Sequence, residues 1–394
     1  MTLLRRAWTS AALALLAPAA AFADPANLAG MVDDLQRIQL KIAQGDRAAY
    51  TAQLDQLKTI GAAIAGAPPE TWKDRRQADS LVIYILSGGS LADVATLLKG
   101  DAVVESERTL ALGALAYVTN HEADATALLG KEDLNALDAR LAGEVAFARS
   151  VLETRRDAKA AVGLLDWARL LQPGGLVEEA ALRREIALVA EAKDVGRAAM
   201  LTRQYATRFA ASLYAADFFR DLAAAIARFG LADDPDNYKL LSQAVAALPP
   251  DVRRDFLLTL AKRAVVDGRF AAAAAAATEA LEGAGADSPE AMRARLYLAA
   301  SRMFSDAYDA AAADLRTIAA SKLDRADADL LAAVRRVASE LRIVPETGFV
   351  NSSGASLDDG GKDKASGPAL TIERARDALE RTGGLVQVEG GGAR

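Results

Sequence analysis

Residues 163–192 read GLLDWARLLQPGGLVEEAALRREIALVAEA. An apolar stripe at three- and four-residue spacing runs up to Pro173-Gly174-Gly175, and a second begins just after it. That is the helical period on both sides of a breaker, so the stretch predicts one helix over 163–171, a turn, and a second helix over 176–192. Leu182, Ile186 and Val189 fall on one side of the second helix. Trp167 is expected to pack against a neighbouring helix. The charges around the turn, Arg169, Glu178, Glu179, Arg183 and Arg184, have two readings. One is a solvated face with small ion-pair gains, Glu179 and Arg183 being four apart in the favourable order. The other is a recognition patch flanking an exposed turn, with Arg208 on its edge.

Working outward, Ala161, Leu165, Ala168 and Pro173 match the second helix of a tetratricopeptide repeat. Small residues on one face let the paired helix dock closely, and the proline ends the helix. The first-helix pattern that should follow is poor, because Arg183 stands where a small residue belongs. Elsewhere the same period recurs with short breaks. Val32, Leu35, Ile38 and Ile42 share a side; Gly88 and Gly89 stop one helix and Ser90 is placed to cap the next; Pro249-Pro250 breaks the chain; Ser288-Pro289 starts a helix. The run Ala271–Ala277 reads as a close-packing helix face, alanine being the best helix former. Pairs such as 289–303 with 306–320 have the right length without a clean signature. The fold class expected is all-α: an α-solenoid of degenerate tetratricopeptide-like helix pairs over 24–343, about 15 helices in short hairpins.

The ends differ in character. Residues 1–23 carry Arg5 and Arg6, a short apolar centre and Ala21-Phe22-Ala23, which predicts a secretory signal peptide cleaved near Ala23 and a periplasmic destination. Its apolar part is far shorter than the ~20 residues of a spanning helix, so no membrane insertion is expected after cleavage. Residues 344–370, rich in Gly, Ser, Asp and Lys, read as a disordered linker. Residues 371–394 read as a short amphipathic helix, with Ile372, Ala375 and Leu379 on one side, followed by a fraying tail.

Composition narrows the chemistry. The formal charge is −6 and both signs are spread along the chain, with no basic stripe for nucleic acid. There is no cysteine and a single histidine, His121, in a turn context, so zinc and haem lack their usual ligands and no cofactor is expected. No G-x-S-x-G elbow accompanies that histidine, and SGGS at 87–90 lacks the lysine and preceding strand of a phosphate loop. Ser106 beside Glu107 is an ordinary helical string, and the tail is too short for a murein-cleaving domain. A non-enzymatic protein that binds other proteins is the expectation, with no catalytic, cofactor or metal residues.

The segments DWARLLQPGGLVEEAALRRE (166–185) and RQYATRFAASLYAADFF (203–219), with the earlier LVIYILSGGS (81–90), resemble the MotC family of periplasmic motility proteins of rhizobia and related bacteria. The order of signal peptide, helical body and Gly/Ser-rich tail is similar too. The resemblance implies association with the periplasmic part of the MotB stator subunit, aiding its stability or placement in the flagellar motor. Arg169, Glu178, Glu179, Arg183, Arg184 and Arg208 are the interaction residues expected on that reading. The alternative is a general periplasmic helical scaffold for envelope or peptidoglycan-associated complexes.

Overall fold

The computed structural model of the protein describes residues 27–341, and the segments read above as signal peptide, linker and C-terminal helix lie outside them. Among the described residues the regular structure is helical, with no strand. In chain order the α-helices are α1 Leu28–Ala43, α2 Arg47–Gly66, α3 Arg75–Leu86, α4 Leu91–Lys99, α5 Glu105–Val118, α6 Glu122–Leu129, α7 Ala139–Glu153, α8 Ala158–Leu171, α9 Leu176–Glu191, α10 Val195–Arg208, α11 Ala215–Phe229, α12 Pro235–Ala244, α13 Pro250–Val266, α14 Phe270–Leu281, α15 Pro289–Arg302, α16 Tyr308–Thr317 and α17 Arg325–Leu341. The architecture is an all-α helical repeat.

Local chemistry explains where the helices begin. Aspartates at 138, 157, 194 and 234 stand at N-caps, where the carboxylate accepts a backbone N–H that has no partner inside the helix. Ser288 caps α15 in the same way, and its hydroxyl accepts from Ala291 N, with Pro289 at the first helical position. Ser90 takes the capping position of α4 without a side-chain bond; its own N–H instead donates to the Tyr84 hydroxyl at 2.8 Å. Gly88 adopts a left-handed φ of 87° at the break before it, as the sequence requires of a turn residue there.

The described chain forms two compact units. The first takes residues up to Gln36 together with Ala52–Glu132. Its core is built on α3, which buries Leu81, Val82, Ile83, Tyr84 and Ile85 and packs against α5; α5 in turn pairs with α6. The second takes Arg37–Thr51 and the chain from Asp133 onward. Here α7 packs on α8, α9 on α10, α13 on α14 and α15 on α16, each pair an antiparallel hairpin that leans on the next. α11 and α12 are the exception: α11 lies between α9 and α13, while α12 packs on α10. The predicted tetratricopeptide residues Ala161, Leu165 and Ala168 are fully buried where α8 meets its neighbours. In α14 the alanine run turns Ala272, Ala273, Ala276, Ala277 and Ala280 inward, so it is a packing face.

Candidate protein-interaction site

The turn at Pro173-Gly174-Gly175 joins α8 to α9, and Gly174 sits at a φ of 86°, which an L side chain would resist. α9 leaves this turn with its first-turn carboxylates Glu178 and Glu179 near the helix N-terminus, where negative charge is favoured. Both are buried, at 1% and 0% exposure, and so is Glu185 at 0%. The expectation that Glu179 and Arg183 form a solvated pair is therefore corrected: the acidic residues of α9 point into the stack.

Each finds partners there. Glu178 accepts the Gly174 N–H at 2.5 Å and the Gln204 amide at 2.9 Å, and pairs with Arg208 at 2.8 Å. Its carboxylate thus clamps the turn and the end of α10 together. Glu179 accepts the Tyr205 hydroxyl at 2.8 Å. Glu185 lies between two guanidiniums, Arg169 at 2.8 Å and Arg197 at 2.7 Å. Asp166 closes the ring by pairing with both arginines. Burial raises the Glu185 carboxyl above the ordinary carboxylate range, and the bonds from Arg197 and the charge of Arg169 oppose that. Its bonds to Glu185 in turn raise Arg197 above its ordinary value. Burial likewise raises Glu179 despite bonds from Ser212 and Tyr205 and the charge of Arg183.

The six sequence-predicted residues are thus brought to one joint, but in different settings. Arg169 is almost enclosed, its side chain 11% exposed. Arg183 is half-buried, with its guanidinium 4.9 Å from the Tyr214 ring centre. Arg184 is half-buried and reaches Thr154 Oγ1 at 3.3 Å. Arg208 is the exposed member, even while pairing with Glu178. A charge reversal at Arg183 and Arg184 therefore disturbs packing as well as surface, and does not isolate binding.

Trp167 also departs from expectation. It is not packed away: it remains 39% exposed, and Leu170 on the same outward side of α8 is 77% exposed. The buried side of α8 is already occupied by Ala161, Leu165 and Ala168, so a residue two positions past Leu165 must face out. Met200 on α10 is exposed as well. Sequence reasoning missed Asp166, Glu185, Arg197 and Gln204. A signal was present, since Glu178 and Glu185 share a helix face with Leu182 and Val189, and charges inside an apolar stripe need partners.

The carboxylate–tyrosine contact recurs down the stack. The Tyr238 hydroxyl of α12 donates to Glu279 of α14 at 2.6 Å, and that of Tyr297 donates to Asp327 of α17 at 2.7 Å. Asp327 also receives Lys262 and Arg293 at 2.8 and 3.0 Å. These are structural clamps between helices. His121 is exposed at the start of α6, with its ring Nδ1 2.9 Å from Thr119 Oγ1. Among the described residues, no group of three His, Cys, Asp or Glu side chains is placed to hold a metal ion, and no helix is long and apolar enough to cross a membrane.

Comparison with known proteins gives this stack a family. The family model described as Chemotaxis protein MotC matches residues 1–390. The Chemotaxis protein MotC of Rhizobium meliloti (strain 1021) is 29% identical over 312 residues, covering 78% of this chain and 70% of that protein. No solved structure matches. The match of the family model over nearly the whole length, on a stack whose joint carries the segments that resemble the family, means that the chain belongs to the MotC family of chemotaxis and motility proteins.

Proposed function

We propose that this protein works in the periplasm, after cleavage near Ala23, as a non-enzymatic motility protein that binds the periplasmic part of the MotB stator subunit and aids its stability or placement. The observation that carries this reading is the family match over residues 1–390. The fold is in keeping with it: stacked helical hairpins offer long surfaces for other proteins.

The joint supplies the binding surface in this proposal, through its exposed members. Arg208 offers a cation at the end of α10, and Trp167 and Leu170 offer an apolar strip on α8. Tryptophan and arginine are the residue types that most often anchor interfaces. Arg169, Glu178 and Glu179 act from beneath, by holding α8, α9 and α10 in register, and Arg183 and Arg184 hold α9 against Tyr214 and Thr154.

Co-purification tests it. The tagged mature protein is mixed with periplasm-containing extract that includes MotB. Recovery of MotB that survives moderate salt is the expected result, because an interface with an apolar anchor is screened less than a purely ionic one. A folded helical protein that recovers no MotB contradicts the proposal and leaves a general envelope scaffold as the reading.

A further inference from the structure

In the second unit, a first helix is normally followed by a second helix that lies over it: α8 over α7, α10 over α9, α14 over α13, α16 over α15. α17 is a first helix by position, packing on α15 and α16, and it is the last of the described helices. It buries Leu330, Leu331, Val334 and Val337. Between it and α16 lies a cleft of about 510 Å³, lined by Tyr308, Ala312, Leu315, Arg316, Arg335 and Ala338 among others. The walls are joined by polar ties: the Tyr308 hydroxyl donates to the Ala338 carbonyl at 2.5 Å, and Arg335 donates to the carbonyls of Leu315 and Ile318 at 2.7 and 2.9 Å. The side chains of α16 and α17 leave this space unfilled.

The chain leaves α17 at Leu341, one helical turn from Ala338 on the cleft wall, and residues 342–394 follow. We propose that the segment 371–382 of this same chain, TIERARDALERT, fills the cleft and serves as the second helix of the terminal pair. Three observations converge on it. Its Ile372, Ala375 and Leu379 recur at helical spacing, which gives it the single apolar face such a position needs. Ala375 at the middle of that face is small, as are Ala312 and Ala338 opposite, so close approach is possible. The Gly/Ser-rich stretch before it is long enough: as a coil, residues 342–370 reach on the order of 30 Å, roughly twice the ~15 Å length of a ten-residue helix such as α16. Tethering also decides between occupants. A segment on the same chain has an effective concentration in the millimolar range, well above that of a second copy or a free partner.

The chain contains no cysteine, so introduced pairs report without background. In the full-length protein, Ala312→Cys is combined with Leu379→Cys, on the apolar face, or with Glu380→Cys, off it. Under mild oxidation the first pair should form an intramolecular disulfide at least about tenfold faster than the second. Equal rates, no disulfide in a folded protein, or disulfides chiefly between molecules would each overturn the proposal, the last by placing a second copy in the cleft. Hydrogen exchange gives an independent readout that needs no cysteine. In full-length Ile372→Asp/Leu379→Asp, amides of residues 312–317 and 335–341 should lose at least about tenfold in protection while α13 and α14 keep theirs. Unchanged protection at both cleft walls would overturn it.

Discussion

Between α8, α9 and α10 the space is filled by long charged side chains: Asp166, Arg169, Glu185 and Arg197 form a closed ring, with Glu178, Gln204 and Arg208 beside it. Between α13 and α14 the buried side chains of α14 are all methyl groups, Ala272, Ala273, Ala276, Ala277 and Ala280, which let the helices close up, with Glu279 pairing with Arg253 of α13 near the end of the seam. Both lie between helices that follow one another in the chain. The difference lies in how tolerance is distributed. A methyl-lined seam gains from dispersion and desolvation of many small contacts, and resists any increase in volume. An ionic ring built on the buried Glu185 and the enclosed Arg169 gains from a few strong charge pairs and resists the loss of its buried member, since an orphaned buried charge costs more than the pair gains. The ring is also tied to a surface, because the helices it registers carry Trp167, Leu170 and Arg208.

Removing one carboxylate from the ring should have the largest effect. Glu185→Ala strands Arg169 and Arg197 beside one aspartate, and should lower stability by about 3–5 kcal/mol; the urea midpoint reads this directly, and a loss under about 1 kcal/mol would mean that the ring is looser than its distances imply.

The next effect depends on pH. Glu144 of α7 is 7% exposed, and burial raises its carboxyl from 4.5 to about 7, with the Gln172 amide opposing. The folded protein therefore holds this proton more tightly than the unfolded chain. Its stabilising contribution is complete below pH 4.5 and is lost as pH rises through 7. Glu144→Gln removes that dependence, so the stability of the variant relative to the parent should improve by about 3 kcal/mol between pH 4 and pH 8. A pH-independent difference would place Glu144 in water.

In the methyl-lined seam the sensitive change is enlargement: Ala276→Leu should cost about 1–3 kcal/mol through overpacking, measured by thermal unfolding. The smallest effect belongs to an exposed pair. Arg220 and Asp217 are 2.8 Å apart with side chains 61% and 68% exposed, and Arg220→Ala should stay within about 0.5 kcal/mol of the parent. A large loss there would dissolve the distinction between buried ring and surface pair.

The helical class and the joint itself were legible in the sequence, because period and breaker residues are local properties. Ala161, Leu165 and Ala168 declared a packing face by their spacing and size. What occupies the space between helices was harder to see. Glu178, Glu179 and Glu185 are polar by type, so a helix wheel read without partners assigns Glu179 to solvent; their burial depends on Arg169, Arg197, Gln204 and Tyr205, which come from other helices. Trp167 was misjudged for the converse reason. A large aromatic suggests a core, yet its position on α8 was already excluded from the core by three smaller residues. The separation of the described chain into two units was also invisible to periodicity, which is the same in both.

The central claim is that the exposed strip over the joint, held in place by the ring beneath it, meets MotB. The direct test is the affinity of the mature protein for the isolated periplasmic part of MotB, measured for the parent and for Trp167→Ala/Leu170→Glu. Both side chains lie outside the buried core, so the variant should keep its helical circular dichroism and a cooperative thermal transition. The account predicts a dissociation constant raised by about tenfold or more, the loss of an interface anchor. A folded variant that binds MotB as tightly as the parent would contradict it.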